Sequence, residues 1–222
     1  MCIRDSKYID HTLLKPTATQ SDIKQLCKEA IEYNFFSVCL NSCFVVLAKT
    51  ELKNSNVKVC TVVGFPLGAM ESNSKAYEAQ TAIENGADEI DMVINIGYLK
   101  SKFYKGVLND IKKVKKATGN KVLKVILETC DLTDEEIIKA CQLCVEAKAD
   151  FVKTSTGFSK SGAHLDAVKI MKETVKDKAK IKASGGIRDY ETAKQFVDLG
   201  VHRLGVSAGI AIMNGETSTS DY

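Results

Sequence analysis

The chain has 222 residues, 45% of them hydrophobic, which is enough to bury a sizeable core. Its 31 basic and 28 acidic residues give a net charge of +3, and the basic residues form no stripe interleaved with aromatic residues, which argues against nucleic-acid binding. No apolar run approaches the ~18–20 residues of a membrane span, so we expect neither nucleic acid nor a membrane among its partners.

One structural unit recurs along the chain. Apolar, β-branched runs that predict strands lie at 8–14, 35–41, 57–64, 89–96, 121–128, 151–156, 180–184 and 203–207. Amphipathic stretches with helical spacing separate them, most clearly at 19–33 and 133–148. Thr133 and Glu136 form a T-x-x-E capping box, which predicts where the second of these helices begins.

The alternation of strands and helices indicates the fold class. Strand–helix units in series predict parallel strands joined by helical crossovers, and eight of them favour an α/β protein with a single-domain (β/α)8 TIM barrel. The alternative is an open doubly wound sheet, which usually carries a glycine-rich fingerprint after its first strand, whereas this first strand ends in HTLLKPTAT. We assign the barrel to residues 8–216, an N-terminal tail to 1–7 and a C-terminal tail to 217–222.

The eight cysteines do not follow the pattern of a disulfide framework. Cys39 lies in a predicted strand, and Cys141 and Cys144 form a C-x-x-C within a helical pattern that has no second pair at zinc spacing. We interpret the cysteines as reduced, in a cytoplasmic protein. The three histidines are scattered, so no His–carboxylate cluster for a metal is predicted.

Charged residues fall on the inward face of several predicted strands. Side chains alternate between the two faces of a strand, and the apolar set of each strand is expected to face the helices. In the fifth strand Leu123, Val125 and Leu127 therefore face outward, and Lys124 faces inward. The same alternation places these residues inward on other strands: Asp10, Cys39, Asp91, Lys153 and Lys182.

Buried charges without partners cost several kcal/mol, so the inward lysines and aspartates must pair with one another. One interpretation is a structural ion cluster. The other is a catalytic centre, because apolar residues would fill a barrel at lower cost and barrel enzymes place their sites at the carboxyl ends of the strands.

Lys153 and Lys182 lie on neighbouring predicted strands, so their amino groups are expected to come within a few ångströms of each other. Burial and a neighbouring cation both lower the pKa of a lysine, and a neutral amine is a nucleophile toward carbonyl groups. An aspartate can move protons through a bound water. This set of residues predicts Schiff-base chemistry with either lysine as the nucleophile, and it requires neither a metal nor an organic cofactor.

Glycine-bearing loops follow the last three predicted strands, at 155–159, 183–189 and 205–209. Barrels often bind phosphate there through backbone N–H groups and a helix N-terminus, and glycine lets the backbone approach an anion closely. The candidate phosphate-binding residues are Gly157, Gly185, Gly186, Arg188, Gly205 and Ser207. A substrate with a carbonyl at one end and a phosphate at the other would fit.

The chain resembles the deoxyribose-phosphate aldolases, a family of class I aldolases with a (β/α)8 barrel. The resemblance runs from Tyr8 to the C-terminus. It rests on IDHTLLKP (9–16), VCLN (38–41), GFPLG (64–68), EIDMVINIG (89–97), KVILET (124–129), VKTSTGFS (152–159) and KASGGIR (182–188). It implies a cofactor-independent lyase of deoxyribose phosphate catabolism. This enzyme would reversibly cleave 2-deoxy-D-ribose 5-phosphate to acetaldehyde and D-glyceraldehyde 3-phosphate.

The resemblance also implies roles for individual residues. Lys153 matches the lysine that forms the imine, Lys182 the second lysine that perturbs it, and Asp91 the proton-transfer residue. Other residues match a supporting group: Asp10, Lys124, Cys39 and the C-terminal Tyr222. The family often forms homodimers, so a homodimer is expected.

Three other functions stay open from the residues alone. One is a lysine-dependent aldolase of the same fold with a different donor or acceptor. The second is a metal-free sugar-phosphate isomerase with a carboxylate base. The third is a catalytically inactive barrel that binds a phosphosugar. Borohydride would trap a covalent adduct with an aldolase and none with an isomerase.

Overall fold

The computed structural model describes residues 6–219, in which eight parallel strands form a closed barrel in chain order. The strands are β1 (Ile9–Leu13), β2 (Ser37–Leu40), β3 (Lys58–Val63), β4 (Glu89–Val93), β5 (Val122–Ile126), β6 (Phe151–Lys153), β7 (Lys180–Ser184) and β8 (Arg203–Val206). Each lies within one of the runs predicted from the sequence, and the predicted (β/α)8 fold is confirmed.

The helices surround the barrel. They are α1 (Gln20–Glu32), α2 (Val45–Glu51), α3 (Ser72–Glu84), α4 (Ile96–Lys100), α5 (Tyr104–Thr118), α6 (Asp134–Glu146), α7 (Leu165–Val175), α8 (Tyr190–Asp198) and α9 (Gly209–Asn214). None of those in the described range is long and apolar enough to cross a bilayer.

Helices α1 and α6 both begin at capping boxes. The predicted box at α6 is present, with the Thr133 hydroxyl accepting from the Glu136 N–H and the Glu136 carboxylate accepting from the Thr133 N–H at 2.9 Å. At α1 the pair is Thr19 and Asp22. The sequence pattern T-x-x-E/Q does not detect this second box, because the side chain that accepts from the Thr19 N–H is an aspartate.

The alternation of side chains divides the protein into two apolar regions. The larger one lies between strands and helices and includes the outward residues of β5, Leu123, Val125 and Leu127. Cys141 and Cys144 are buried in this region on α6, as the sequence predicted. A smaller cluster lies inside the barrel on the β1–β3 side, formed by Leu14, Cys39, Cys60 and Val62 with Phe65 against them. The charged residues lie beside this cluster in the same interior.

The two predicted tails at 1–7 and 217–222 extend past the described residues, and Tyr222 lies outside them. Part of each tail is nevertheless placed. Ser6 donates its hydroxyl to the carbonyl oxygen of Asn34 at 2.9 Å. At the other end, the Ser218 N–H donates to the carbonyl oxygen of Arg188 at 2.9 Å, which brings the C-terminal segment to the loop after β7.

Candidate active site

Asp91, on β4, is the centre of the charged interior. Its Oδ1 accepts from Lys124 Nζ at 2.9 Å, and its Oδ2 accepts from Lys153 Nζ at 2.8 Å and from Lys182 Nζ at 2.9 Å. Each of these four residues is at most 2% exposed. The three lysines, which come from β5, β6 and β7, therefore share one buried carboxylate, as the inward parity of the strands predicted.

Asp10, on β1, extends this network on its other side. Its Oδ2 lies 2.5 Å from Lys182 Nζ, and its Oδ1 accepts from the Arg203 guanidinium at 2.7 Å. The Oε2 of Glu89 lies 2.5 Å from Lys124 Nζ and 3.6 Å from the same guanidinium. Asp10 and Asp91 thus hold Lys182 from opposite sides.

The sequence reasoning missed Arg203, and it placed Glu89 on the inward face of the fourth strand without naming it as a member of this network. A signal for both was present. Leu204 and Val206 belong to the outer apolar region, so alternation places Arg203 inward on β8. Glu89 precedes Asp91 by two residues and shares its inward face.

The buried charges of the barrel balance. The cations are Lys124, Lys153, Lys182 and Arg203, and the carboxylates are Asp10, Glu89, Asp91 and Glu128. Because an uncompensated charge is costly in a low-dielectric interior, this balance accounts for how the barrel tolerates eight ionisable groups.

The carboxylates at the centre stay ionised. Burial by itself raises the pKa of Asp91, but the ammonium groups of Lys124, Lys153 and Lys182 outweigh it and hold that pKa well below the usual aspartate value. The same holds for Asp10, where burial is opposed mainly by Lys182 and Arg203 and the pKa is lowered.

The protonation of Lys182 corrects one expectation. Burial lowers its pKa, yet the adjacent carboxylates of Asp10 and Asp91 raise it above the ordinary lysine value. The expected lowering of its pKa by a neighbouring lysine is outweighed, because the groups in direct contact with Lys182 Nζ are the carboxylates of Asp10 and Asp91. The raised pKa of Lys182 argues against it as the nucleophile.

A pocket opens above Lys153 at the carboxyl ends of β6, β7 and β8. Its cavity volume is about 110 Å³, and its polar lining and position at the strand ends, rather than its size, mark it as the candidate site. Lys153 lines it, whereas Lys124 and Lys182 are not among the described residues that do. The lining includes all six candidates for phosphate binding: Gly157, Gly185, Gly186, Arg188, Gly205 and Ser207.

The loop after β7 is shaped by glycine. Gly185 and Gly186 have φ values of 85° and 76°, which residues with side chains rarely adopt. Gly162 approaches this loop so closely that a Cβ on it would lie 2.1 Å from the Gly185 carbonyl oxygen, which accepts from the Ala163 N–H at 3.0 Å. Sequence reasoning missed Gly162, because a contact between two distant loops leaves no local pattern.

Gly205 has a second effect besides lining the pocket. A Cβ at this position would lie 2.9 Å from Lys182 Cε and 3.0 Å from Ser184 Cβ. The absence of a side chain therefore gives Lys182 the space to pass β8 and reach both aspartates.

A group of possible metal ligands lies beside the lysines. Ligand atoms of Cys39, Cys60 and Asp91 all lie within 4.8 Å of one another. They already form hydrogen bonds, since Cys60 Sγ donates to Asp91 Oδ1 at 3.2 Å and accepts from Lys124 Nζ at 3.4 Å. The ammonium groups that surround Asp91 repel a divalent cation, so these contacts fit a hydrogen-bonded interior better than a metal site.

Similarity to known proteins agrees with this geometry. Residues 6–215 match the model of the DeoC/LacD family aldolases. A deoxyribose-phosphate aldolase of Finegoldia magna is 62% identical over 210 residues, which cover 95% of this chain and 99% of the relative. One of Mycoplasma capricolum is 56% identical over 222 residues and the full length of both chains. The tetrameric deoxyribose phosphate aldolase structure from Aeropyrum pernix superimposes with a TM-score of 0.88 at 34% identity, covering 95% of this chain and 90% of that one. The chain belongs to the DeoC/LacD family of aldolases.

Proposed function

We propose that the protein is a class I aldolase that reversibly cleaves 2-deoxy-D-ribose 5-phosphate to acetaldehyde and D-glyceraldehyde 3-phosphate. One observation carries the proposal: Lys153 both contacts Asp91 at 2.8 Å and lines the pocket that holds the phosphate candidates. The relatives from Finegoldia and Mycoplasma are named deoxyribose-phosphate aldolases, which supports the choice of substrate.

In the first half of the reaction, the free amine of Lys153 adds to the aldehyde carbon C1. The C–N bond forms as the carbonyl oxygen becomes a hydroxyl group. Asp91 is the carboxylate in contact with Nζ, so it exchanges protons with the nitrogen and, through water, with this hydroxyl group. Loss of water leaves a protonated imine.

The protonated imine is the electron sink for cleavage. Removal of the proton from the C3 hydroxyl breaks the C2–C3 bond, and the bonding electrons form an enamine on Lys153 while glyceraldehyde 3-phosphate leaves. Protonation at C2 and hydrolysis then release acetaldehyde and restore the amine. The protonated imine carries the same charge as the ammonium form of Lys153, so the balance of buried charges is kept while Asp91 stabilises it.

The phosphate-binding end of the pocket orients the substrate. The glycine-bearing loops offer backbone N–H groups, Ser207 a hydroxyl donor and Arg188 a positive charge around one end of the pocket. Binding energy at this remote group positions the reacting carbons over Lys153. For Tyr222 the family resemblance predicts help with proton transfer at C2. The bond from Ser218 to Arg188 supports this role, because it places Ser218 beside a residue that lines the pocket.

The decisive test combines trapping with an activity assay. Incubation with acetaldehyde and borohydride is expected to leave a reduced two-carbon adduct on Lys153, located by peptide mass spectrometry. The Lys153→Arg variant is expected to show neither the adduct nor release of glyceraldehyde 3-phosphate. Lys160→Arg, on the same loop with a largely exposed side chain, is the matched control and keeps both.

The same assay separates the remaining alternatives. A full-activity Lys153→Arg protein, or an adduct on another lysine, would reject the assignment. An isomerase would form no adduct, an inactive binding protein would release no aldehyde, and an aldolase with another acceptor would prefer a different sugar. Activity that is lost with a chelator would contradict the proposed metal-independent route.

Two further features are part of the proposal. The family resemblance predicts a homodimer, whereas the Aeropyrum pernix relative is described as a tetramer, so light scattering of the purified protein decides the assembly. A cytoplasmic location, predicted from the cysteine pattern, is tested by cell fractionation.

A further inference from the structure

Glu128 is a buried carboxylate at the mouth of the barrel that the proposed reaction does not use. It follows β5, is 3% exposed and has a φ of 57°. A non-glycine residue in this left-handed region is uncommon, and a buried carboxylate must be compensated. A positive φ and a buried carboxylate at one residue beside the candidate active site suggest a function for that residue.

The carboxylate of Glu128 accepts both polar hydrogens that Thr156 offers. The Thr156 nitrogen lies 3.3 Å from both Oε1 and Oε2, and the Thr156 hydroxyl donates to Oε2. The same hydroxyl oxygen accepts from the Phe158 N–H at 3.0 Å. The turn at 156–158 is therefore held by the hydrogen bonds from Thr156 to Glu128 and by the bond from the Phe158 N–H to the Thr156 hydroxyl.

This turn forms one wall of the pocket. Thr156 and Gly157 both line it, and Gly157 has a φ of 87° with no described heavy atom within 4 Å of the place where a Cβ would be. The polar groups of Thr156 are committed to Glu128, so they are not aimed at a ligand. The open backbone of Gly157 is the part of the turn that faces an incoming anion.

We propose that Glu128 is a positioning residue that acts through Thr156 to hold Gly157 in the conformation that binds the substrate phosphate, which rests on the function proposed above. The carboxylate touches neither the phosphate nor the reacting carbons. Burial holds the pKa of Glu128 above the usual glutamate value, and the hydrogen bonds from Thr156 offset only part of this rise.

Three variants separate this role from general support of the fold. Glu128→Gly removes the carboxylate, and glycine adopts the positive φ without strain. Thr156→Val removes the hydroxyl group that donates to Glu128 in the same contact. Glu128→Gln keeps one acceptor oxygen and is expected to restore part of the function. Asp131→Asn is the matched control, because Asp131 also links these two loops, through Ser159 at 2.9 Å and Lys160 at 2.9 Å, on the outside.

The readout is discrimination between substrates with and without a phosphate. For Glu128→Gly and Thr156→Val we expect KM for 2-deoxyribose 5-phosphate and the inhibition constant of inorganic phosphate to rise roughly tenfold, as for loss of a charged hydrogen bond. In Thr156→Val, which keeps the buried carboxylate of Glu128, cleavage of unphosphorylated 2-deoxyribose and trapping of acetaldehyde on Lys153 should change far less than KM for the phosphorylated sugar. The double variant should be no worse than the worse single one, since both remove the same contact.

Equal losses with both sugars, or no change in any variant, would overturn the positioning role. So would the same effect in Asp131→Asn. Calorimetric titration of inorganic phosphate into the resting protein tests the role even if the wild-type protein cleaves nothing. Failure of the wild type to form the acetaldehyde adduct would reject the proposed function, whereas unchanged phosphate affinity in Glu128→Gly would reject the positioning role.

Discussion

The Oδ2 atom of Asp91 lies 2.8 Å from the Nζ atom of Lys153. The same oxygen also accepts from Lys182, so the carboxylate is shared between the proposed nucleophile and a cation that Asp10 holds in place. The proposed nucleophile and Lys182 therefore compete for one oxygen of this carboxylate.

Replacement of Lys182 by methionine tests this sharing. The variant leaves Oδ2 of Asp91 to Lys153 alone, and an undivided opposite charge favours the ammonium form. We expect imine formation with acetaldehyde to slow roughly tenfold at neutral pH and its pH profile to move to higher pH. Rapid-quench trapping with borohydride measures both. Lys180→Met, an exposed lysine on the same strand, is the control, and an unchanged rate and profile in Lys182→Met would contradict the role.

Replacement of Gly205 by alanine distinguishes the two effects of this residue. The added Cβ would lie 2.9 Å from Lys182 Cε, so the lysine must move away from the aspartates. We expect turnover to fall for both phosphorylated and unphosphorylated sugars, with little change in the affinity for inorganic phosphate.

Gly186→Ala provides the contrast. No described atom lies within 4 Å of its Cβ position, but the φ of 76° is unfavourable for alanine by roughly 1–2 kcal/mol. This variant should raise KM for the phosphorylated sugar selectively. A defect of Gly205→Ala that is confined to the phosphorylated sugar would show that room for Lys182 is unimportant.

The buried network predicts how stability depends on pH. The pKa values of Asp10 and Asp91 are lowered on folding, because cations outweigh burial, so their stabilisation is complete above the unfolded aspartate pKa of about 4 and is lost as the pH falls below it. The pKa values of Lys124 and Lys182 are raised, so their stabilisation is complete below the unfolded lysine pKa of about 10.4 and is lost above it.

Urea denaturation across this range measures the effect. We expect the contribution of these four groups to the free energy of unfolding to be flat between about pH 5 and pH 9 and to fall at both ends. Asp10→Asn, which leaves Lys182 and Arg203 short of one anion, should lose about 3–5 kcal/mol at neutral pH and show a weaker acid dependence. An acid limb identical to that of the wild type would show that Asp10 does not stabilise the fold as an ion.

The inward charges were predictable because alternation along a strand is a local property. Each of the apolar sets of β4, β5 and β7 identifies the outward face, and this placed Asp91, Lys124 and Lys182 inside without any knowledge of the barrel. The partners of these charges were not predictable in the same way. The pairing of Asp10 with Arg203 joins the two ends of the chain, and it exists because β8 closes the barrel onto β1.

The sequence by itself determined the repeated strand–helix units, the inward position of the lysines and aspartates, and the glycine-bearing loops after β6, β7 and β8. These follow from hydrophobic period and from residue types that act locally. Only the tertiary structure decided that Asp91 divides one oxygen between two lysines, that Lys182 lies between Asp10 and Asp91, and that Glu128 accepts from Thr156. Such relationships depend on distances between residues far apart in the chain, and electrostatic energies change steeply over those distances in a buried site.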